Sequence, residues 1–112
     1  MVLPDAASIA TNVDIANIFK VQFTAAVGAT RMLANPTGSP YDCQKVIWTF
    51  TQSAGGGNDL TFDTKFRTGD YIDWNITRVS IAHPSSRDYM GCMYRADTDT
   101  WDIIAWVDAY RP

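Results

Sequence analysis

The stretch Lys45-Val46-Ile47-Trp48-Thr49-Phe50-Thr51-Gln52 is the clearest β-strand in the sequence. It is rich in β-branched and aromatic residues, which favour pleated structure. Val46, Trp48 and Phe50 alternate with mostly polar residues, a period-2 pattern typical of a strand with one buried face. Ile47 lies among the polar residues of the opposite face. We therefore predict a strand at 45–52 whose inward face, centred on Trp48, belongs to the core.

Further strand patterns extend outward from this stretch. Residues 53–59 read as a flexible connection, and Leu60-Thr61-Phe62 reads as a returning strand, so the pattern predicts a hairpin spanning Lys45 to Phe62. Upstream, Asn17 to Phe23 alternates cleanly, and the turn-rich segment Asn35 to Pro40 predicts a loop. Shorter strand candidates occur at 7–11, 30–34, 65–67 and 79–81.

A second hairpin is predicted at the end of the chain. Residues 88–95 and 101–107 are strand-like, and the Asp- and Thr-rich segment 96–100 between them is typical of a turn. Both strands carry apolar residues on both faces, a pattern of strands buried on two sides. Because a small two-layer domain covers one side only, the other side must meet a loop, a second subunit or a partner. The candidate interface residues here are Met90, Cys92, Ile104 and Trp106.

Composition also favours β structure. All twelve acidic residues are Asp, Leu occurs only at positions 3, 33 and 60, and the basic residues are mostly Arg. Glu, Lys and Leu are strong helix formers, so their scarcity disfavours helices. We predict an all-β fold, a small β-sandwich or barrel-like domain of short antiparallel strands and hairpins. Length predicts a single domain over residues 1–112, in which residues 1–16 form a possible N-terminal arm.

Charge and hydropathy narrow the function classes. The net charge of −3 and the pI of about 4.7 disfavour nucleic-acid binding, which needs a basic face. No apolar run approaches the length of a membrane span, and no secretory signal pattern opens the sequence. We expect a complete product made in a cytoplasm, with Cys43 and Cys92 as two free, buried thiols.

The residues that carry chemistry form no recognisable catalytic or metal-binding motif. His83 is the single histidine and precedes Ser85 and Ser86, without a nucleophile-elbow pattern to support a triad. The Asp residues at 63–73 and 97–102 lack the calcium-loop pattern, and Gly55-Gly56-Gly57 is not followed by the Lys and Ser or Thr of a phosphate loop. We predict no enzyme activity, no cofactor and no metal site.

Aromatic residues are the notable surplus of the sequence. Trp74 and Tyr71 lie in an acidic, irregular segment without clear periodicity. Because Trp and Tyr are enriched at protein interfaces, this pair is a candidate partner surface. The alternative interpretation, a Trp covering a small core, stays open. Exposed Trp and Tyr near Asp also suit sugars, so a carbohydrate-binding module is one hypothesis.

Several motifs, taken in order, resemble a small β domain of tailed-phage virion proteins, a family that includes capsid decoration, head-fibre and tail-fibre proteins. Each motif is short, but together they run through most of the chain. They are the opening 5–11, the strand 17–21, Arg31-Met32-Leu33-Ala34-Asn35-Pro36-Thr37, Gln44 to Trp48, Leu60 to Phe66, Arg87-Asp88-Tyr89, and the terminal hairpin with Trp101-Asp102 and Ala109-Tyr110.

The resemblance implies a structural role, with no catalytic residues to carry over. The expected function is a capsid decoration (cement) protein, a homotrimer that binds the phage major capsid protein lattice and stabilises the head. The alternative within the family is a head-fibre or tail-fibre component. The expected location is the capsid surface of the virion, after synthesis in the bacterial host cytoplasm.

Overall fold

The structure is a computed structural model that describes residues 1–24, 30–55, 58–68 and 85–110. Residues 108–110 are described by their backbone alone. These residues form strands, turns and bends, with no helix among them. The mainly β character predicted from composition is confirmed. The strands are β1 (Val2–Leu3), β2 (Ser8–Ile9), β3 (Ile18–Gln22), β4 (Thr30–Leu33), β5 (Lys45–Thr51), β6 (Asp59–Phe62), β7 (Phe66–Thr68), β8 (Arg87–Arg95) and β9 (Thr100–Tyr110).

The strands form two sheets between which the chain alternates. One sheet has six strands in the order β1-β3-β5-β8-β9-β7, and the other has three in the order β2-β4-β6. Successive strands from β1 to β6 belong to different sheets, so β1, β3 and β5 stack in parallel while β2, β4 and β6 do the same. Parallel neighbours need a crossover connection, and here the strand of the other sheet supplies it.

The predicted hairpin between 45–52 and 60–62 is wrong, although both strands exist. β5 pairs with β3 and β8, whereas β6 pairs with β4 in the other sheet. Two hydrogen bonds join the ends of the connection between β5 and β6. The Gln52 side chain donates to the Asn58 backbone carbonyl at 2.9 Å, and the Asn58 side-chain amide donates to the Gln52 side-chain oxygen at 2.9 Å. Both side chains are fully buried.

The prediction of antiparallel pairing holds for the terminal hairpin and not for most of the described strands. β8 pairs antiparallel with both β5 and β9. The five remaining pairs within the described residues are parallel. Sequence alternation reports which face is buried but not the direction of the neighbouring strand, which explains the difference.

One hydrophobic core receives the inward side chains of both sheets. Trp48, Phe50 and Val46 are fully buried, which confirms the predicted inward face of β5. The Trp48 ring meets the edge of Trp101 at a centroid distance of 6.1 Å, and its indole N–H donates to the Thr11 hydroxyl at 3.1 Å. Leu33 and Leu60 bring the three-stranded sheet into the same cluster.

Residues 1–16, predicted from the sequence as a possible N-terminal arm, contribute to both sheets. β1 lies beside β3 and β2 lies beside β4. Leu3, Ile9 and Val13 are buried in the core cluster. The segment is therefore part of the packed structure.

The two cysteines differ in their surroundings. Both are free thiols, as expected, but Cys43 is exposed, so the prediction that it is buried is wrong. It lies in a turn with a positive φ of 65°, outside any strand. Cys92 is buried in β8, where desolvation raises the pKa of its thiol.

Candidate binding face

The outward side of the six-stranded sheet carries most of the exposed large apolar side chains that the structure describes. We call this side, on β1, β3, β5, β7, β8 and β9, the outer face. Five of the eight large apolar residues exposed in the described ranges lie on it: Val2, Ile18, Ile47, Ile104 and Val107. Scattered apolar residues are ordinary on soluble proteins, but a contiguous group marks a binding surface.

Strand register places these residues side by side. Ile18 is the direct neighbour of Ile47, which in turn is the neighbour of Gly91 in β8, and Gly91 faces Ala105 in β9. Directly paired residues on one face have Cβ atoms about 5 Å apart. The row therefore forms a continuous apolar strip across four strands. Gly91 and Ala105 have the smallest side chains of the row, so the strip is shallow where they lie.

A second row runs beside this strip and is more polar. It follows Val2, Lys20, Thr49, Tyr89 and Val107 through successive strand pairs. A depression of about 490 Å³ opens over the part of this row that β1, β3, β5 and β8 form. The outer face is thus gently concave at that end.

A β-bulge in the terminal hairpin adds Ile104 to the outer face. Pairing shifts between Gly91 and Cys92, whose partners are Ala105 and Ile103, so Ile104 is the extra residue. A methyl group built on Gly91 would lie 3.7 Å from the Ala105 Cβ and 4.0 Å from Ile104. Ile104 and Ala105 therefore both flank the outward side of Gly91. Bulges re-aim side chains in this way at the cost of one unpaired residue.

Cations surround the apolar strip. Among the side chains that the structure describes, five basic residues occupy outward positions of the sheet, and one carboxylate, Asp102, lies among them. Arg95 has an ion-pair partner in Asp97 at 3.5 Å, and Arg87 donates to the Tyr89 hydroxyl at 3.2 Å. The five are Lys20, Lys45, Arg67, Arg87 and Arg95.

The structure separates the six interface residues suggested by the sequence. Met90 and Cys92 are fully buried on the inward side of β8, so neither presents its side chain to a partner. Trp106 is half-buried and stacks on Phe50 with ring centroids 6.0 Å apart. Ile104 alone of the four hairpin residues is exposed on the outer face. Trp74 and Tyr71 lie outside the described residues.

Sequence reasoning missed part of this face. Val2, Ile18, Ile47 and Val107 were not among the candidates, although Ile18 lies on the polar side of an alternating strand. Ile18 and Ile47 are both apolar residues on the polar side of an alternating strand. This pattern could have identified them as exposed apolar residues. Their adjacency follows from parallel pairing of β3 with β5, which the sequence pattern does not reveal.

A buried polar cluster ties the two sheets together at one end. Arg31 of β4 is buried, forms an ion pair with Asp5, and lies 4.6 Å from the Phe23 ring centroid. Its guanidinium also donates to the Asn58 side chain at 2.9 Å. Burial opposes ionisation of Asp5, but hydrogen bonds from Arg31 and Thr24 outweigh it and lower its pKa from 3.8 to about 2.

A smaller polar group closes the tip of the terminal hairpin. The Tyr94 hydroxyl donates to Asp99 at 2.7 Å, and Lys65 forms an ion pair with the same carboxylate at 2.7 Å. The bond to Asp99 raises the pKa of Tyr94, while Lys65 and Tyr94 together lower the pKa of Asp99. These three side chains bond to one another, so we assign the group a structural role in closing the turn.

Side chains that could bind a metal ion are not brought together in the described parts of the chain. Within residues 1–24, 30–55, 58–68 and 85–110, no three His, Cys or Asp side chains converge on a metal-sized site. His83 and residues 69–73 of the Asp63–Asp73 segment lie outside those ranges. No described helix is long and apolar enough to cross a membrane.

Three of the four tryptophans lie in the described residues, and none is exposed. Trp48 and Trp101 are fully buried, and Trp106 packs against Phe50 and Phe62. A sugar platform needs an aromatic face open to solvent, so these three rings give the carbohydrate-binding hypothesis no support.

No protein-family model, curated protein or solved structure matches the chain.

Proposed function

We propose that the chain is a structural protein of a tailed-phage virion, a capsid decoration protein that assembles as a homotrimer on the major capsid protein lattice. The observation that carries this proposal is the outer face, a continuous apolar strip with a cationic rim. An apolar centre within a polar rim is the usual anatomy of a protein–protein interface. The ordered motifs that resemble virion β domains supply the phage context.

We also propose that the two sheets pack face to face as a small sandwich. In support, inward residues of both sheets belong to one core cluster, and Phe62 of β6 meets Trp106 of β9 edge to face at 6.1 Å. A rigid two-layer body would present the outer face as a preformed surface, which lowers the entropic cost of binding.

Protein analysis of purified phage particles tests the role. A decoration protein should be present in many copies, in a constant ratio to the major capsid protein, and should bind heads stripped of it. Stripped heads should also resist heat or chelation better after the protein is added back. Absence from purified particles would reject the virion role.

The alternative role as a fibre component has one observation in its favour. The parallel columns β1-β3-β5 and β2-β4-β6 stack the chain along one direction, as solenoid-like fibres do. The same particle analysis separates the two roles, since a fibre component occurs in few copies and localises to a head or tail fibre.

A further inference from the structure

The charge of the outer face differs in sign from that of the other residues whose side chains the structure describes. Of the residues whose side chains the structure describes, five of seven cations and one of nine carboxylates lie on this face, which leaves two cations and eight carboxylates among the other described residues. A protein with a net charge of −3 therefore concentrates positive charge around its apolar strip. This segregation limits the surfaces that can cover the strip.

Most cations of the rim lack carboxylate partners within the described residues. The ion pairs there join Arg31 to Asp5, Lys65 to Asp99 and Arg95 to Asp97. None of these ion pairs includes Lys20, Lys45 or Arg87, which lie on either side of the strip along its strands. Their charges are available to a partner that brings carboxylates.

A face-to-face contact between two copies is disfavoured by these charges. In a twofold contact the same patch meets itself, so cationic rims would come together around the apolar centre. Like charges brought together at an interface oppose association. A contact between unlike surfaces avoids this penalty.

Other surfaces of the same chain carry the complementary charge. Exposed carboxylates outside the outer face occur in three turns, at Asp14, Asp42 and the hairpin tip. Two of these turns are joined, because Asp42 accepts a hydrogen bond from the Ala96 backbone at 3.0 Å. A second copy approaching with a carboxylate-bearing surface can thus neutralise the rim while it covers the strip.

We propose that the outer face is a self-association surface, which binds a non-equivalent, carboxylate-bearing surface of a second copy of this chain. Such head-to-tail contacts close into rings when their rotation permits. The expected number of copies in the ring, three, rests on the proposed function. The apolar strip supplies the binding energy, and the rim determines which surface of the next copy docks.

Sedimentation of the purified protein with matched variants tests this assignment. Lys20→Glu and Lys45→Glu should each weaken self-association by about tenfold or more, because each places a negative charge in the rim. Ser8→Glu adds a negative charge at an exposed position of the three-stranded sheet, outside the outer face and the three acidic turns, and should leave assembly within about twofold of the parent. Raising the salt concentration should weaken assembly of the parent.

A second matched pair tests the apolar strip without changing charge. Ile47→Thr retains the β-branched side chain that suits a strand but removes apolar contact, and should weaken assembly by about tenfold. Met32→Thr removes a half-buried apolar side chain from the outward side of the three-stranded sheet and should leave assembly within about twofold of the parent. Far-ultraviolet circular dichroism spectra of every variant that match that of the parent establish that folding is intact.

The remaining outcomes overturn the assignment. They are a monomeric parent at all concentrations, a twofold dimer, or an oligomer indifferent to Lys20→Glu, Lys45→Glu and Ile47→Thr. If these variants still assemble but no longer bind stripped heads, the outer face contacts the capsid instead of a second copy. Head binding by the parent is scored separately, so failure of the assignment is distinguishable from failure of the proposed function.

Discussion

At the scale of single residues, burial distinguishes the side chains that stabilise the fold from those that lie on its surface. Trp48 is fully enclosed by Phe19, Phe66 and Trp101, with ring centroids 5.7 to 6.1 Å away. Its one polar atom is satisfied by Thr11. Such a residue gains from area burial, ring geometry and a hydrogen bond together.

Replacing Trp48 with Ala should lower the free energy of unfolding by about 3–5 kcal/mol, the usual cost of removing a large buried aromatic side chain. Tyr41→Ala is the control, because Tyr41 is 65% exposed and its replacement should change stability by no more than about 0.5 kcal/mol. Urea titration followed by tryptophan fluorescence and circular dichroism measures both. Equal effects of the two substitutions would show that this face of β5 is not core.

Asp5 should make stability depend on acid pH. Because its pKa is lowered to about 2 in the folded protein, its ionised form stabilises the fold above the unfolded pKa near 4. That contribution, about 1–2 kcal/mol, should be lost as pH falls from about 5 to 2. Asp5→Asn should be less stable than the parent at pH 7, and the difference should shrink towards pH 2. A difference that is constant with pH would contradict the ion pair with Arg31.

At the scale of an element, β8 shows how one strand serves both the core and the surface. Its residues alternate strictly, with Asp88, Met90, Cys92 and Tyr94 buried and the residues between them half-buried or exposed. The strand lies between β5 and β9, so its backbone is paired on both edges. Substitution effects should therefore alternate along it with period two.

The two methionines of β8 offer a matched comparison. Met90→Ala should cost about 2–5 kcal/mol, as expected for a fully buried side chain. Met93→Ala makes the same change on the half-buried outer side and should cost under about 1 kcal/mol. Thermal and urea unfolding of the monomeric state measure both values. A larger loss at Met93 would place the outer face inside the monomer core.

At the scale of the whole molecule, the core is shared by two sheets that the chain enters alternately. Each strand from β1 to β6 is followed along the chain by a strand of the other sheet. Neither sheet can therefore lose its core contacts while the other keeps them. Small domains with one shared core usually unfold in a single transition.

Mutations in either sheet should accordingly lower the same transition. Leu60→Ala in the three-stranded sheet and Val46→Ala in the six-stranded sheet both remove fully buried side chains. Far-ultraviolet and near-ultraviolet circular dichroism should report one coincident midpoint for each variant, below that of the parent. Two separate midpoints in Leu60→Ala would show that the sheets are independent.

Local patterning accounts for what the sequence predicted correctly. Alternation at 45–51 and 18–22 reports which side chains are buried, because successive strand residues point to opposite faces. The terminal hairpin was equally predictable, since a short Asp- and Thr-rich turn returns the chain beside itself. In the binding face, Ile104 was a candidate from the sequence, whereas Ile47 was recognised only as an apolar residue on the polar side of its strand.

Tertiary structure alone decided how the strands pair and hence which apolar residues become neighbours. The 45–51 and 59–62 strands looked like a hairpin, but buried bonds between Gln52 and Asn58 let the chain change sheets between them. Ile18 and Ile47, far apart in the sequence, meet only because β3 and β5 are parallel. Local propensity determines strands and their faces, whereas pairing depends on contacts between distant segments that compete for a single shared core.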